Sequence, residues 1–329
     1  MTTKDTIRRL LEQNLGLYVS GAELARQLNL SRNAVWRAVK TLQEDGYVIN
    51  AVPNRGYCLE RAADTISPDS FSRWLTVAKD RINIHVFPTI TSTNTVLKEM
   101  AEKGAPEGTI LIAGEQTAGR GRMGRSFYSP SGTGVYLSML MRPTFSPAQS
   151  LYITTAAAVA VAEAIETVTL QKTRIKWVND VYLDGKKACG ILTEASFDME
   201  SKRLAYTVCG IGINMRVPEG GYPEELSSIV TSVFENSAYD VEKRNRIIAE
   251  VISRFWQFYE HLTEKTFLRG YQERSLLQGK SVYVINGNEK RPATALEIDD
   301  EFHLHVRFDD GSEEFLKSGE VSVKARAID

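Results

Sequence analysis

The densest chemistry in this 329-residue chain is Gly119-Arg120-Gly121-Arg122-Met123-Gly124-Arg125, three arginines on a glycine-rich backbone with no acid among them. Glycines let a backbone approach a ligand closely, and amide N–H groups with guanidinium forks suit carboxylate and phosphate oxygens. The run also reads G-x-G-x-x-G, the spacing of a dinucleotide fingerprint. That fingerprint opens a helix, whereas here Ser129-Pro130-Ser131-Gly132 breaks the chain and another strand follows. No Walker lysine stands at the right offset either. The plain alternative is an exposed basic loop. Two further clusters lie downstream: Lys176-Trp177-Val178-Asn179-Asp180 leading into Lys186-Lys187-Ala188-Cys189-Gly190-Ile191-Leu192, and Gly210-Ile211-Gly212-Ile213-Asn214-Met215. Upstream, Ser92-Thr93-Asn94 begins a predicted helix after a strand.

A second chemistry sits near the N-terminus. A helix over 21–28, a tight turn and a helix over 31–45 have helix-turn-helix dimensions. Val35, Val39 and Leu42 recur at i, i+4 and i+7 and face the core, so Arg32, Asn33, Trp36, Arg37 and Lys40 share the other side. Arginine and lysine neutralise phosphates or grip guanine, and asparagine pairs with adenine. A predicted hairpin around Pro53-Asn54-Arg55 then forms a wing whose Arg55 reaches the DNA backbone. A three-helix interaction module with a solvated basic face is the alternative. One such unit covers a single half-site, so a palindromic operator requires a dimer.

Ser92-Thr93-Asn94, Gln116-x-x-Gly-Arg-Gly-Arg-x-Gly-Arg, Lys176-Trp-x-Asn-Asp, Lys187-x-x-Gly-Ile-Leu and Gly210-x-Gly-Ile-Asn stand in one order. Together they resemble the biotin–protein ligases, and with the N-terminal winged helix the whole chain resembles the bifunctional members that also repress the biotin operon. The resemblance implies an α+β multidomain fold: an N-terminal winged helix-turn-helix, a central α/β domain like class II aminoacyl-tRNA synthetases and lipoate ligases, and a C-terminal SH3-like β-barrel. It implies the domains 1–62 for DNA binding, 63–81 as linker, 82–275 as ligase and 276–329 as the SH3-like unit. It further implies that ATP, with Mg²⁺, activates biotin to biotinyl-5′-AMP. Biotin then passes to a lysine of the biotin carboxyl carrier protein of acetyl-CoA carboxylase, with unused adenylate acting as corepressor by favouring a homodimer on operator DNA. Carried over residue by residue, the biotin and adenylate contacts fall on Ser92, Thr93, Asn94, Gln116, Gly119, Arg120, Gly121, Arg122, Lys176, Asn179, Lys187, Gly190 and Asn214. Lys176, Arg122 and Asp180 are the expected catalytic residues. One departure is visible: the family's usual proline is Val178 here. Valine can take the extended backbone that proline enforces, so function is expected to survive.

The chemistry makes its own demands. A carboxylate attacking the α-phosphate of ATP brings anion to anion, so positive groups must offset repulsion and stabilise the pentavalent oxygens. Arg120, Arg122 and Lys176 are the supply. In the second step a neutral lysine attacks a mixed anhydride that is already activated, so no enzyme nucleophile is needed, and Asp180 is placed to accept or orient the amine proton. A mobile glycine loop folding over the adenylate excludes water. A lipoate or octanoate ligase shares this logic, but the Gly-Arg-Gly-Arg loop and the winged helix argue against it. A ligand-sensing repressor without turnover has no need of Lys176, Asp180 and three loop arginines.

These groups need a scaffold, and the pattern supplies one. Predicted helices are 6–15 (Ile7, Leu10, Leu11 and Leu15 on one face), 21–28 with Ser20 and Glu23 at capping-box spacing, 31–45 capped by Ser31 and stopped at Gly46, 71–78, 93–103, 151–168 and 241–261. Predicted strands run over 82–87, 109–114, 134–141, 174–177, 181–183, 187–193 and 204–212, and five short ones fill 280–324 around the turns Asn286-Gly287 and Asp310-Gly311. The polar stretch Asp64-Thr65-Ile66-Ser67-Pro68 marks a boundary. Net charge is −1, so the chain is no polyelectrolyte; residues 1–62 carry +3 against −4 for the rest, a small excess that decides little but says where to look for an anionic partner. The C-terminal segment is acidic and a poor nucleic-acid binder, leaving it a protein-contact or ATP-covering role. Three distant cysteines encode neither a disulfide framework nor a zinc knuckle, and the four histidines share no metal spacing, so no protein-held metal is expected. Without an apolar leader or a long uninterrupted apolar run, the reading is a cytoplasmic protein with no membrane partner.

Overall fold

Short polar caps start the first helices of the chain. In the computed structural model, which describes residues 2–44, 47–61, 66–78, 80–144, 150–198, 203–317 and 321–325, Thr2 and Asp5 form a capping box at α1 (Thr3–Gln13). Ser20 accepts from Ala22 N at the start of α2 (Gly21–Gln27), and Ser31 Oγ accepts from Ala34 N in the first turn of α3 (Arg32–Glu44). Each such cap satisfies a helix N–H that has no partner within the helix. Glu23 does not complete a box with Ser20; it accepts instead from Arg26 and Gln27, a side-chain competition that spacing alone cannot reveal. Gly46, expected to stop α3, and Asp64-Thr65 lie outside the described residues. The wing is the antiparallel pair β2 (Val48–Val52) and β3 (Gly56–Arg61), joined by β1 (Tyr18–Val19), which is too short to leave a periodic signal. Ile7, Leu11, Leu24, Val35, Val39, Leu42, Ile49 and Leu59 form a core of their own for this unit.

Residues 66–78, read from sequence as linker and helix, are organised differently. Ser67 caps a single turn, α4 (Pro68–Phe71), with proline in its first turn, and a 3-10 turn (Ser72–Trp74) follows. Phe71 is fully buried in the core of the next domain, so this stretch is packed rather than a free spacer, and no helix runs to Ala78.

The central domain is built on a seven-stranded sheet of order β4-β5-β6-β10-β9-β8-β7. Its strands are β4 (Asn83–Phe87), β5 (Thr109–Ala113), β6 (Gly134–Met141), β7 (Arg174–Lys176), β8 (Asp180–Leu183), β9 (Lys186–Asp198) and β10 (Arg203–Asn214). Only β4 and β5 run parallel. β5 and β6 are buried along their whole length because both sheet faces are covered, which is why they read as unbroken apolar runs. On one face lies α5 (Thr93–Glu102), where Leu97 and Ala101 meet Leu111, Leu140, Tyr206 and Val208. On the other lie α6 (Ser150–Thr169) and α8 (Val241–Glu260), the two helices packed together. α6 is long and apolar enough to cross a membrane by length and composition, but it is a core helix: its alanines 156–158, 160, 162 and 164 are buried, and their small size admits α8 closely. Two short helices, α7 (Glu224–Ser227) and α9 (Leu268–Glu273), complete the domain.

The last domain is a five-stranded antiparallel sheet of order β14-β13-β12-β11-β15: β11 (Ser281–Asn286), β12 (Glu289–Ile298), β13 (Leu304–Phe308), β14 (Glu313–Leu316) and β15 (Val321–Ala325). All five strands fall where alternation and turn residues put them. The expected closed barrel is not formed among the described residues: β14 pairs only with β13 and β15 only with β11, so the edges do not meet. The β12–β13 turn docks into the central domain. Phe302 there is fully buried, stacks on Phe267 (centroids 5.2 Å apart) and meets Tyr271 edge-on (5.7 Å). Its carbonyl accepts from Trp177 Nε1 at 2.9 Å.

Phe302→Ala is expected to lower stability by about 3–5 kcal/mol, the usual cost of emptying a buried aromatic site. Chemical denaturation followed by tryptophan fluorescence measures it. An unchanged midpoint would mean that this docking contributes nothing to the fold.

Candidate active site and nucleic-acid interface

The face of the sheet under α5 changes character along its strands. Near the C-terminal half of α5 it presents Leu140, Val208 and Tyr206. Two residues further along the same face the positions become Ser138 on β6, Gly210 and Gly212 on β10, and Gly190 on β9, since side chains alternate across a sheet. Deleting side chains there leaves a cavity of about 200 Å³ between the sheet, the start of α5 and the arginine loop. Its lining brings together Ser92, Thr93, Asn94, Gln116, Arg120, Gly121, Arg122, Lys176, Asn179, Asp180, Lys187 and Gly190 from segments spread over a hundred residues.

Gly119 and Asn214, also expected at the site, stand behind it. A Cβ on Gly119 would lie 2.4 Å from Phe127 O and 2.6 Å from Ser129 Oγ, so this glycine permits the loop's base to close. Asn214 Nδ2 donates to Thr231 O at 3.1 Å and its carbonyl accepts from Val233 N, which pins the segment after α7 to the end of β10.

At the start of α5 the polar groups hold one another. Ser92 is the N-cap. Thr93 N donates to Gln116 Oε1 at 2.8 Å, and Gln116 Nε2 donates to Ser129 Oγ at 3.1 Å, which ties the helix to the loop's base. The buried Asn94 donates from Nδ2 to Leu192 O (3.2 Å) and Glu194 Oε2 (3.0 Å), while its Oδ1 accepts from Ser138 Oγ at 2.6 Å. Both amide donors of Asn94 are thus used within the protein, and its part in the site is to shape it. Ser138 and Glu194, which hold Asn94 in place, are neighbours of the site that sequence reading missed. The one available signal was a carboxylate following an apolar strand run at Glu194.

Opposite, Arg122 Nη1 donates to Asn179 Oδ1 at 3.1 Å, and Asn179 Nδ2 donates to Ile191 O at 2.7 Å. Burial holds the Arg122 pKa below its ordinary value against the opposing charge of Asp180. Lys187 Nζ lies 2.7 Å from Asp180 Oδ1, and Lys176 faces Asp180 across the β7–β8 pair. Glu194 meets two cations, Lys98 Nζ at 3.0 Å and Arg120 Nη1 at 3.3 Å. Burial raises its pKa, but hydrogen bonds from Asn94 and Lys98 and the charges of Lys98 and Arg120 outweigh this and hold it below the usual glutamate value. A depressed pKa keeps these pairings complete at neutral pH, and they are lost only as pH falls through it.

Phe127 covers the floor: an added Cβ at Gly212 would lie 2.5 Å from its ring and one at Gly190 3.0 Å. Tyr128 is exposed and Trp177 is core. The Trp177–Val178 peptide is cis. Cys189 and Cys209 are buried thiols, and burial pushes Cys209 up to about 12, so neither offers a nucleophile. Among the described residues no group of His, Cys, Asp or Glu could hold a metal ion.

The second interface is the outer side of α3. Arg32, Asn33, Trp36, Arg37 and Lys40 are all exposed, opposite the buried Val35, Val39 and Leu42. Lys40 Nζ sits 5.4 Å from the Trp36 ring centre, and Arg55 at the wing tip is exposed and packs over Tyr18 at 4.1 Å. α3 and the wing thus present cations on one unit without an intervening acid in residues 31–40.

Fold and cavity together define an enzyme of the adenylating ligase type joined to a winged-helix DNA reader. Comparison with known proteins agrees: residues 86–214 match the biotin/lipoate A/B protein ligase family and residues 3–58 an HTH domain. The chain is 31% identical to the bifunctional ligase/repressor BirA of Bacillus subtilis over 94% of its length and 95% of the relative's. It is 33% identical to BirA of Bacillus spizizenii over 78% of each chain. The solved structure of the biotin protein ligase from Aquifex aeolicus in complex with biotin and ATP superposes with a TM-score of 0.62 at 27% identity, covering 74% of this chain and 99% of that one. The chain belongs to the biotin–protein ligase family, in its bifunctional ligase/repressor branch.

Gly210→Ala tests the shaping of the floor. The new Cβ would stand 2.1 Å from Asn94 Oδ1, and Asn94 is locked by three partners. We expect a folded protein destabilised by about 1–3 kcal/mol, as for overpacking, that no longer binds ligand in the cavity by calorimetry. Wild-type binding would remove Asn94 from the site's architecture.

Proposed function

We propose that this chain joins biotin to ATP as biotinyl-5′-AMP, transfers biotin to a lysine of the biotin carboxyl carrier protein of acetyl-CoA carboxylase, and represses biotin genes from their operator DNA. The observation that carries the reading is the convergence of Arg120, Arg122, Lys176 and Lys187 on one glycine-floored cavity. In the first step a carboxylate oxygen of biotin attacks the α-phosphorus and pyrophosphate leaves. Arg122 and Lys176, with Arg120, offset the repulsion between the anions and stabilise the charge that builds on phosphorus. Partial burial makes the Arg122 guanidinium more effective than the same charge in water. In the second step the carrier's neutral amine attacks the acyl carbon, AMP leaves with the bonding pair, and the amine loses a proton. Asp180 is the carboxylate that faces this step, and its contact with Lys187 favours orienting the amine and the lysine over free proton abstraction.

Mg²⁺ enters as part of the nucleotide substrate. Asp180, which lines the cavity, and Glu194 on the neighbouring strand are each engaged by a cation, so the donor set does not fit a resident metal, and no step is assigned to one. Biotin, rather than lipoate or octanoate, is favoured by the arginine loop and by the winged helix on the same chain. Operator binding is assigned to Arg32, Asn33, Trp36, Arg37, Lys40 and Arg55 in a homodimer, because one winged unit spans one half-site. The C-terminal sheet is read as an SH3-like unit in contact with protein or ATP, and the cytoplasm as the compartment.

Incubation with MgATP and biotin, lipoate or octanoate, followed by mass spectrometry of the bound species, is expected to yield biotinyl-AMP alone. No adenylate with any acid would leave a ligand-sensing repressor as the reading. Lys40→Ala is expected to lower the slope of log affinity against log salt by about 1 at the operator, as for one lost phosphate contact. An unchanged slope would take Lys40 off the DNA backbone.

A further inference from the structure

The arginine loop is a small hairpin. Phe127 N donates to Gly119 O at 2.9 Å and Gly121 N to Arg125 O at 2.7 Å, with Arg120 and Ser126 bridged between them. Its base is fixed to the β4–α5 connection, since Thr117 N donates to Ile90 O and Ala118 N to Thr91 O, each within 2.9 Å. Those contacts hold the N-terminal end of the segment. Over the cavity Arg122 touches Asn179 on one wall, and Arg120 touches Glu194 on the floor strand β9.

Glu194 is well built for this contact. Its side chain is less exposed than those of its two cations, it rises from the same sheet face as Gly190, and Asn94 and Lys98 fix both carboxylate oxygens. Lys98 also keeps the carboxylate paired whenever the loop lifts, so opening leaves no bare buried charge behind. We propose that Glu194 is a positioning residue that pins the 119–125 loop over the cavity through Arg120, and thereby governs how long the bound ligand is retained rather than how fast it reacts. Its contact with the reaction is indirect: it touches the loop, and the loop covers the site. The ligand named in the test rests on the biotin reading given above, while the loop readout does not.

The test uses the full chain and the variants Glu194→Gln, Arg120→Ala and the double. Glutamine keeps the acceptor for Asn94 and removes the charge that holds Arg120. Subtilisin cleavage inside 119–125, mapped by mass spectrometry without ligand, reports opening; release of adenylate formed from biotin and MgATP reports retention. Each single variant is expected to be cleaved and to release adenylate roughly tenfold faster, and for Glu194→Gln the effect falls in KM for biotin and not in kcat. The double variant is expected to match Arg120→Ala, because two residues acting through one contact do not add. Wild-type cleavage in Glu194→Gln overturns the proposal, and so does an additive double variant, which would assign Glu194 to Asn94 instead. Equal acceleration at sites outside the loop also overturns it, by making the role global. Failure of the biotin reading is separately visible as no adenylate in the parent chain, and loop cleavage then still decides the role of Glu194.

Discussion

A sheet covered by helices on both faces has no room for a ligand unless side chains are removed from it. Here they are removed at Gly190, Gly210 and Gly212, on neighbouring strands and on one face, and the rest of the site depends on that hollow. The close distances show how full it already is. Asn94 occupies the space above Gly210 and Phe127 the space above Gly212, so any residue larger than glycine displaces a group that shapes the cavity. The hollow also explains the burial of α5's first turn: Thr93 and Asn94 can sink toward the sheet because no side chain meets them, and Ser138 rises to bond them.

Burying cations beside such a floor costs desolvation, and the structure offsets it by pairing. Asp180 takes Lys187, Glu194 takes Lys98 and Arg120, and the Asn179 amide takes Arg122. The arrangement keeps charge available and limits repulsion among the cations, of which that between Arg122 and Arg125 remains. It is also economical in geometry, since Asn179 is itself held by Ile191 O, next to the floor glycine Gly190.

How much of this was legible in the sequence follows from where the information lies along the chain. Lys176, Asn179 and Asp180 sit within five residues, and the loop arginines within six, so residue type and spacing sufficed to name them. Ser138 and Glu194 contribute through strand register, Ser138 opposite Gly210 and Glu194 opposite Val208, and register leaves no trace in residue type or local spacing. Asn214 stands apart from the cavity lining: its motif is at the site, and its side-chain amide donates to Thr231 O. The strands of the last domain were legible because turns and alternation mark them, whereas closure into a barrel depends on edges that are distant in sequence. The 66–78 segment misled because its apolar residues anchor it to α8 and the sheet, a tertiary demand that imitates helical spacing.

The same segment bears on how two functions share one chain. The winged unit has a separate core, yet Arg8 on α1 donates to Asp69 at 3.0 Å and to Ser67 Oγ at 2.9 Å, and Arg9 reaches Asp69 at 3.3 Å. Asp69 sits in the first turn of α4, two residues from Phe71 in the ligase core. Arg8 is itself largely buried and shared with Glu12, and the combined charges of Glu12 and Asp69 keep its pKa raised despite desolvation. Two partners on opposite sides of the junction fix its direction more tightly than one would. These contacts tie the winged unit to the ligase domain through side chains at the α1–α4 junction, in addition to the covalent chain that connects them.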